Sequence, residues 1–507
     1  MFGALKLMLL AFSIMNVMHD AESAPLSSYL VSSFSSPNPR LPFRLMAVDN
    51  TTGDVYIGAE EEIYHLGPDF ILRETVEVGL CNISRSSYFG EQDKNRLLVI
   101  APAPTERLIT CGTCDGYCET RKLSNITDAE TYYDVDEKTV VRREDAPMVG
   151  VVAVSAFPQR SQYLFTGISL TQTADKPVSK LDITSFNPVQ SITMGQLPDV
   201  NYVQAIFITQ YVYYVIKLQA VNVPVEAVMG RLCVDTADTN FESYTQIQLK
   251  CTDHTGSNYN VIQTAHIGPA GSQLADSLSI NSTDDVMYAV FTNGSSSPVQ
   301  SALCLYKMSD IQEKFTEAVV GCITCESDCG GRSIDYLQSS QCGAAPNNWN
   351  QESRECQATD GGNAYYKYAN GVDPVTASPV LTVSDMEAKS IITTAERDYT
   401  VAFIGSSDGD LLKVHILNSS SAYHYENVPL GQGSVLRDVY LDEDKEQIIL
   451  ATGSEEGSQV LKLTLANCSN YQTCDECIGG NGGDDGDPYC GWCTLEARYI
   501  CKMTTAE

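Results

Sequence analysis

Four cysteines near the C-terminus form two Cys-x-x-Cys pairs, Cys474/Cys477 and Cys490/Cys493, across a spacer rich in glycine and aspartate. Four thiolates at such spacing can make a tetrahedral zinc site. The same cysteines fit a disulfide framework equally well, and the redox compartment decides between the two. The spacer offers the carboxylates of Asp484, Asp485 and Asp487 as calcium ligands, but it lacks the alternation and terminal glutamate of an EF-hand, so it reads as a solvated loop. Outside the N-terminal segment the histidines are His65, His254, His266, His415 and His424, none at metal-binding helical spacing. His65 and His415 fall in strand-like stretches and read as structural. Neither a nucleophile elbow nor a phosphate-binding loop is present. These residues predict no enzyme, no cofactor and no metal.

The N-terminus bears on the compartment. MFGALKLMLLAFSIMNVMHDAES has a short basic start at Lys6, an apolar run from Leu7 to Met18, and small residues at Ala21 and Ser23. This is the pattern of a secretory signal peptide over residues 1–23, cut before Ala24. The run is too short to span a bilayer. An exported chain meets an oxidising lumen, where cysteines pair rather than hold zinc. The 18 cysteines are an even number, as full pairing requires. Seven N-x-S/T sequons suit the same compartment: Asn50, Asn82, Asn125, Asn281, Asn293, Asn418 and Asn467. Asn50 falls in a turn and Asn467 abuts Cys468, so Asn82, Asn125, Asn281, Asn293 and Asn418 are the glycosylation candidates. A formal charge of −32 repels phosphate backbones and excludes nucleic acid as a partner; it also keeps an extracellular surface soluble. Beyond the leader no apolar run is long enough to cross a membrane. The expectation is a secreted chain or the ectodomain of a longer one, attached to a membrane only through a region this chain lacks.

The elements that must position these residues are short strands of Val, Ile, Tyr, Phe and Leu between Gly/Asp/Ser/Asn turns. A strand ending in glycine recurs, at Gly58, Gly112, Gly167, Gly405 and Gly453, with spacings of 54, 55 and, at the far end, 48 residues. A period near fifty built from short strands suggests propeller blades, which bury one another's faces around an axis. Strand pairs at Ala205–Ala220 and Asp285–Met308 supply two more blades, giving seven. The 238 residues between Gly167 and Gly405 exceed what two blades need, so a cysteine-rich insertion is placed near 322–356.

RLMAVDNTTGDVYIGAEEEIYHL near the start, RLCVDTADTNFESYTQIQLKC (Arg231 to Cys251), SALCLYKMSDIQEKFTEAVVGC (Ser301 to Cys322) and VLRDVYLDEDKEQIILATG (Val435 to Gly453) resemble plexin sema domains. The final segment resembles the PSI module (plexin–semaphorin–integrin) that follows them. The resemblance spans nearly the whole mature chain. It implies an all-β fold: a seven-bladed β-propeller over 24–467, with its insertion in the fifth blade, then a small disulfide-rich module over 468–507. Semaphorins usually carry aspartate where Cys493 stands in CGWC, and the sema-domain receptor kinases carry a multibasic cleavage site. Here the densest basic spot is Arg142-Arg143, so plexin is favoured.

The resemblance also implies pairings. These are Cys111 with Cys118, Cys251 with Cys304, Cys233 with Cys356 and Cys322 with Cys342. In the last module they are Cys468 with Cys490 and Cys477 with Cys501. Cys81 and Cys114 depart from the family pattern and are expected to pair, as are Cys325 and Cys329. The family's partners for Cys474 and Cys493 fall beyond Glu507, so these two are expected to be unpaired and the module cut short. Trp492 is expected to pack on the disulfides. The implied function is the ligand-binding head of a semaphorin receptor in cell-surface signalling and guidance, with semaphorin-type protein ligands and a receptor dimer as partners. A secreted semaphorin-like ligand or decoy is the alternative, and a propeller enzyme a remote one.

Overall fold

The computed structural model describes residues 22–78, 94–113, 118–132, 148–155, 161–169, 177–183, 188–192, 199–219, 224–235, 241–294, 298–325, 329–343, 356, 359–360, 363–396, 398–431, 433–442, 444, 446–471, 486–493 and 498–501. Seven sheets of at least four strands follow one another along the chain. The first blade shows the common plan. Phe43–Val48, Val55–Ala59, Glu62–Leu66 and Leu72–Glu77 pair antiparallel in that order. Its second strand, VYIGA, is buried throughout, while its fourth, LRETVE, alternates between exposed and half-buried. Strands packed between two neighbouring blades must be apolar on both faces, and the outermost strand has one face in water.

Blade 2 begins with Asn95–Ala101, blade 3 with Met148–Val154, blade 4 with Asp199–Ile208, blade 5 with Val261–Pro269 and blade 6 with Ala388–Glu396. These first strands pack side by side around the axis. Arg437, in the first segment of blade 7, donates through Nη1 to the Val203 carbonyl of blade 4 at 3.1 Å, bracing the ring across its centre. Blade 7 borrows its outer strand. Leu30–Ser35 runs antiparallel to Gln459–Thr464, so the two ends of the propeller chain close the circle together.

The recurring glycines have a steric reason. A Cβ at Gly167 would lie 2.6 Å from Tyr202 Cδ1, one at Gly405 2.5 Å from Val435 Cγ1, and one at Gly453 2.3 Å from the Phe43 carbonyl. Each contact is with the first strand of the following blade. The glycine marks where that strand crosses closest, a spacing that side chains would spoil. The second strands of blades 4 and 5, Tyr211–Gln219 and Asp285–Thr292, have no such glycine, which is why the period falters between Gly167 and Gly405.

The insertion sits between the third and fourth strands of blade 5, Gln300–Lys307 and Pro379–Ser384. It is larger than the cysteine-rich stretch alone and opens with a helix, Met308–Ile323, whose buried residues Ile311, Phe315, Ala318, Val319 and Cys322 follow helical spacing. Arg231 of blade 4 fixes this helix. Its guanidinium lies 4.6 Å from both the Tyr211 and Phe315 rings, and Nη1 donates to Gln312 Oε1 at 2.7 Å. Ala369–Asn370 and Val375–Ala377 then pair in parallel with Thr245–Thr252, covering the outer edge of blade 4.

Candidate functional site

The cysteines act as staples. Cys111 is bonded to Cys118, Cys233 to Cys356, Cys251 to Cys304, Cys322 to Cys342, Cys325 to Cys329 and Cys468 to Cys490. Cys251–Cys304 ties blade 4 to blade 5, and Cys233–Cys356 ties blade 4 to the insertion. Cys81, Cys114, Cys474 and Cys477 lie outside the described residues, as do the side chains of Cys493, Cys501 and Trp492. The CGWC stretch, Cys490–Cys493, forms a hairpin with Arg498–Cys501. Among the described residues no cluster of His, Cys, Asp and Glu could hold a metal.

Because the blades are antiparallel ribbons, their hairpin tips fall on two faces. Turns joining first to second and third to fourth strands share one face, and turns joining second to third strands lie on the other. Asn50 and Asn281 are in first-to-second connections, of blades 1 and 5. Asn125 and Asn418 are in third-to-fourth connections, of blades 2 and 6. All four therefore share one face, whereas Asn293, between the second and third strands of blade 5, is on the other. Asn82 lies outside the described residues.

The face that bears Asn50 also opens into a cavity of about 940 Å³ between blades 1, 2 and 3. Its wall includes Asp49, Tyr56, Arg73, Pro102 and Lys122. Burial works against the Asp49 carboxylate, but bonds from the Thr51 and Thr52 side chains and the Thr51 amide hold its pKa below the ordinary value. Asp54 accepts from Arg73 Nη1 at 2.6 Å and meets His65 Nε2 at 3.0 Å. The His65 ring is stacked on Tyr56. Burial lifts the Tyr56 phenol above its usual range, so it stays protonated as a donor to the Leu123 carbonyl. His266 meets Thr393 Oγ1 at 2.8 Å between blades 5 and 6, and burial lowers its pKa to about 4. Burial likewise lowers His424, which contacts the Glu426 carbonyl. His415 stands edge-on to Tyr399. These histidines brace strands.

A second polar centre was not foreseen from the sequence. Lys413 and Glu426, on the third and fourth strands of blade 6, form a buried ion pair at 2.8 Å. Lys413 Nζ lies 3.6 Å from the centroid of the Tyr29 ring, and the Tyr29 hydroxyl donates to Glu426 Oε1 at 2.5 Å. Asp487 joins them from the spacer. It is not in a solvated loop: it is 3% exposed, accepts from the Tyr489 amide at 2.9 Å and from the Tyr471 hydroxyl at 3.3 Å. The turn before Cys490 is drawn inward by its disulfide to Cys468, which carries Asp487 off the surface. Burial pushes the Asp487 carboxyl up to about 6, against the pull of Lys413. The visible signal was a lysine amid the apolar residues of the strand DLLKVHIL. Here N-terminal, blade 6 and C-terminal segments meet, held also by Asn467, whose Nδ2 donates to the Ser28 carbonyl at 2.7 Å.

Comparison with known proteins agrees with this architecture. The Sema domain family matches residues 262–442. Mouse Plexin-B2 is 27% identical over 492 residues, covering 90% of this chain and 25% of its own length. The chain thus spans about a quarter of the curated relatives it matches. Among solved structures, the Plexin A4 extracellular region superposes with a TM-score of 0.76 at 21% identity, over 93% of this chain and 54% of its own. A chain from the complex of Drosophila Plexin A with Semaphorin 1b gives 0.65 at 16% identity, over 94% of each. No helix among the described residues is long and apolar enough to cross a membrane. In its seven-bladed ring, in its insertion in the fifth blade and along nine-tenths of its length, the chain is similar to the sema-domain regions of plexins.

Proposed function

We propose that this chain is the ligand-binding head of a plexin-like receptor, exposed on the outer face of the plasma membrane as part of a longer protein. It recognises semaphorins by protein–protein contact in cell-surface signalling and guidance. The observation that carries this reading is similarity to plexins across 90% of the chain, on a fold whose neighbours include a plexin–semaphorin complex. In this reading residues 1–23 are a removed signal peptide, 24–467 form the propeller and 468–507 belong to a PSI module. The work is recognition, not catalysis: a rigid ring presents strand edges and turns, and the terminal junction sets the angle at which the next module leaves. Ligand dimers would bring receptors together. Immobilised chain, secreted from eukaryotic cells, should bind ectodomains of semaphorins from the same organism in a saturable manner. A folded, monodisperse chain that binds none of them sinks the proposal.

A further inference from the structure

The sequons differ in what the fold does with their amides. In Asn125 and Asn418 only Oδ1 is engaged: it accepts from Thr127 Oγ1 at 2.5 Å and from Ser420 Oγ at 2.8 Å. Both residues stand at turn tips, and Asn281 is exposed, its Nδ2 donating to the exposed Asp284 Oδ2 at 3.1 Å. The other two are built in at both ends. Asn467 Nδ2 donates to the Ser28 carbonyl while Oδ1 accepts from the Ser469 amide, and the next residue is the buried, disulfide-bonded Cys468. Asn293 Nδ2 donates to the Pro298 carbonyl at 3.2 Å and Oδ1 accepts from the Gln300 amide at 3.1 Å. Substitution at Nδ2 leaves room for the first three to fold unchanged. At Asn467 it would push Ser28 away and open the junction, and at Asn293 it would break the turn.

We infer that N-linked glycans occupy Asn125, Asn281 and Asn418, that Asn293 and Asn467 stay bare, and that one face of the propeller is therefore sugar-coated and closed to large partners. The transfer is the ordinary one. Nδ2 displaces a lipid pyrophosphate from the anomeric carbon of the oligosaccharide, a C–N bond replaces the C–O bond, and one amide proton leaves. Three blades contribute to the coated face, numbers 2, 5 and 6, spread around the ring. Asn50 and the junction share that face. The opposite face carries none of the three, so a propeller-sized ligand docks there. The sugar map needs only export of the chain; the docking consequence rests on the receptor reading.

Glycopeptide mapping of the full chain, recovered from the medium of eukaryotic cells, tests the map. Enzymatic release should leave the deamidation mark at Asn125, Asn281 and Asn418 and none at Asn293 or Asn467. A glycan on Asn293 or Asn467 in the folded protein, or all three expected sites bare in secreted chain, overturns it. A bare chain retained inside the cell overturns it together with the export reading. The triple variant Asn125→Gln/Asn281→Gln/Asn418→Gln then tests docking against a semaphorin ectodomain. Affinity within about twofold of the unaltered chain supports the closed face, and a loss or gain beyond tenfold overturns it. Absence of binding by both proteins defeats the receptor reading and the docking consequence with it, and leaves the sugar map standing.

Discussion

The spaces between blades and the terminal junction solve the same problem, holding separate parts of the chain together, by opposite means. Between blades 4 and 5 the filler is Phe291, Met287, Ile247 and Met229, all fully buried and apolar. At the junction Lys413, Glu426 and Asp487 are buried together with Tyr29, and Tyr471 lies half-buried against them. Apolar packing tolerates small errors in placement and is indifferent to pH. A buried ionic centre demands each partner and rarely outperforms an apolar filling in stability. What it adds is geometry: hydrogen bonds fix the direction in which the last segment leaves the ring beside blade 6. The rim of the ring is built for strength and the junction for a set angle.

Four perturbations would break or sharpen this contrast. Lys413→Ala leaves two carboxylates buried without their cation and should cost about 3–5 kcal/mol, read by urea denaturation. Phe291→Ala cuts a comparable hole in the apolar filling and should cost about 3 kcal/mol, with no change in that loss from pH 5 to pH 8. The junction, by contrast, should respond to pH. The Asp487 carboxyl is raised to about 6 in the fold, against roughly 3.9 in an unfolded chain, so its ionisation opposes folding. That penalty is absent below the unfolded value, grows between the two and is complete above the folded one. Asp487→Asn should therefore stabilise the chain by up to about 2–3 kcal/mol at pH 7.5, and the gain should vanish near pH 4. A gain that is constant with pH would show that the Asp487 carboxyl has the same pKa in the folded and the unfolded chain. The smallest effect belongs to Asn467→Ala, which removes the side-chain cap of the short Cys468–Asn470 helix and should lower the melting temperature in line with about 1 kcal/mol.

Much of the ring was legible because its cause is local. A strand between two blades must be apolar throughout, as VYIGA is, and a crossing point must be glycine, as at Gly405. The helix Met308–Ile323 was equally legible in principle, since Met308, Ile311, Phe315 and Cys322 recur at helical spacing, but the sequence reading assigns no element between Met308 and Cys322, because neither Lys307 nor Thr324 supplies a side-chain cap. Two features had no local cause. LVSSFS is an undistinguished stretch that becomes a strand only through Gln459–Thr464. Asp487 lies in a spacer whose composition says solvent, and only the fold of the Cys468–Cys490 loop carries it inside. The sequons were readable as motifs, whereas the carbonyls that hold Asn293 and Asn467 were not.

The borrowed strand of blade 7 also sets a clock on synthesis. Leu30 pairs with Leu463, so a segment made at the outset must wait for almost the whole chain before it finds its partner. At typical translation speeds of about 5–20 residues per second that wait is roughly 20–90 s. Throughout it LVSSFS, which carries no charge to repel another strand, is an open edge available to any neighbouring chain. A mutation that slows the late blades would therefore reveal itself first as aggregation of nascent chains, with the stability of the finished ring untouched.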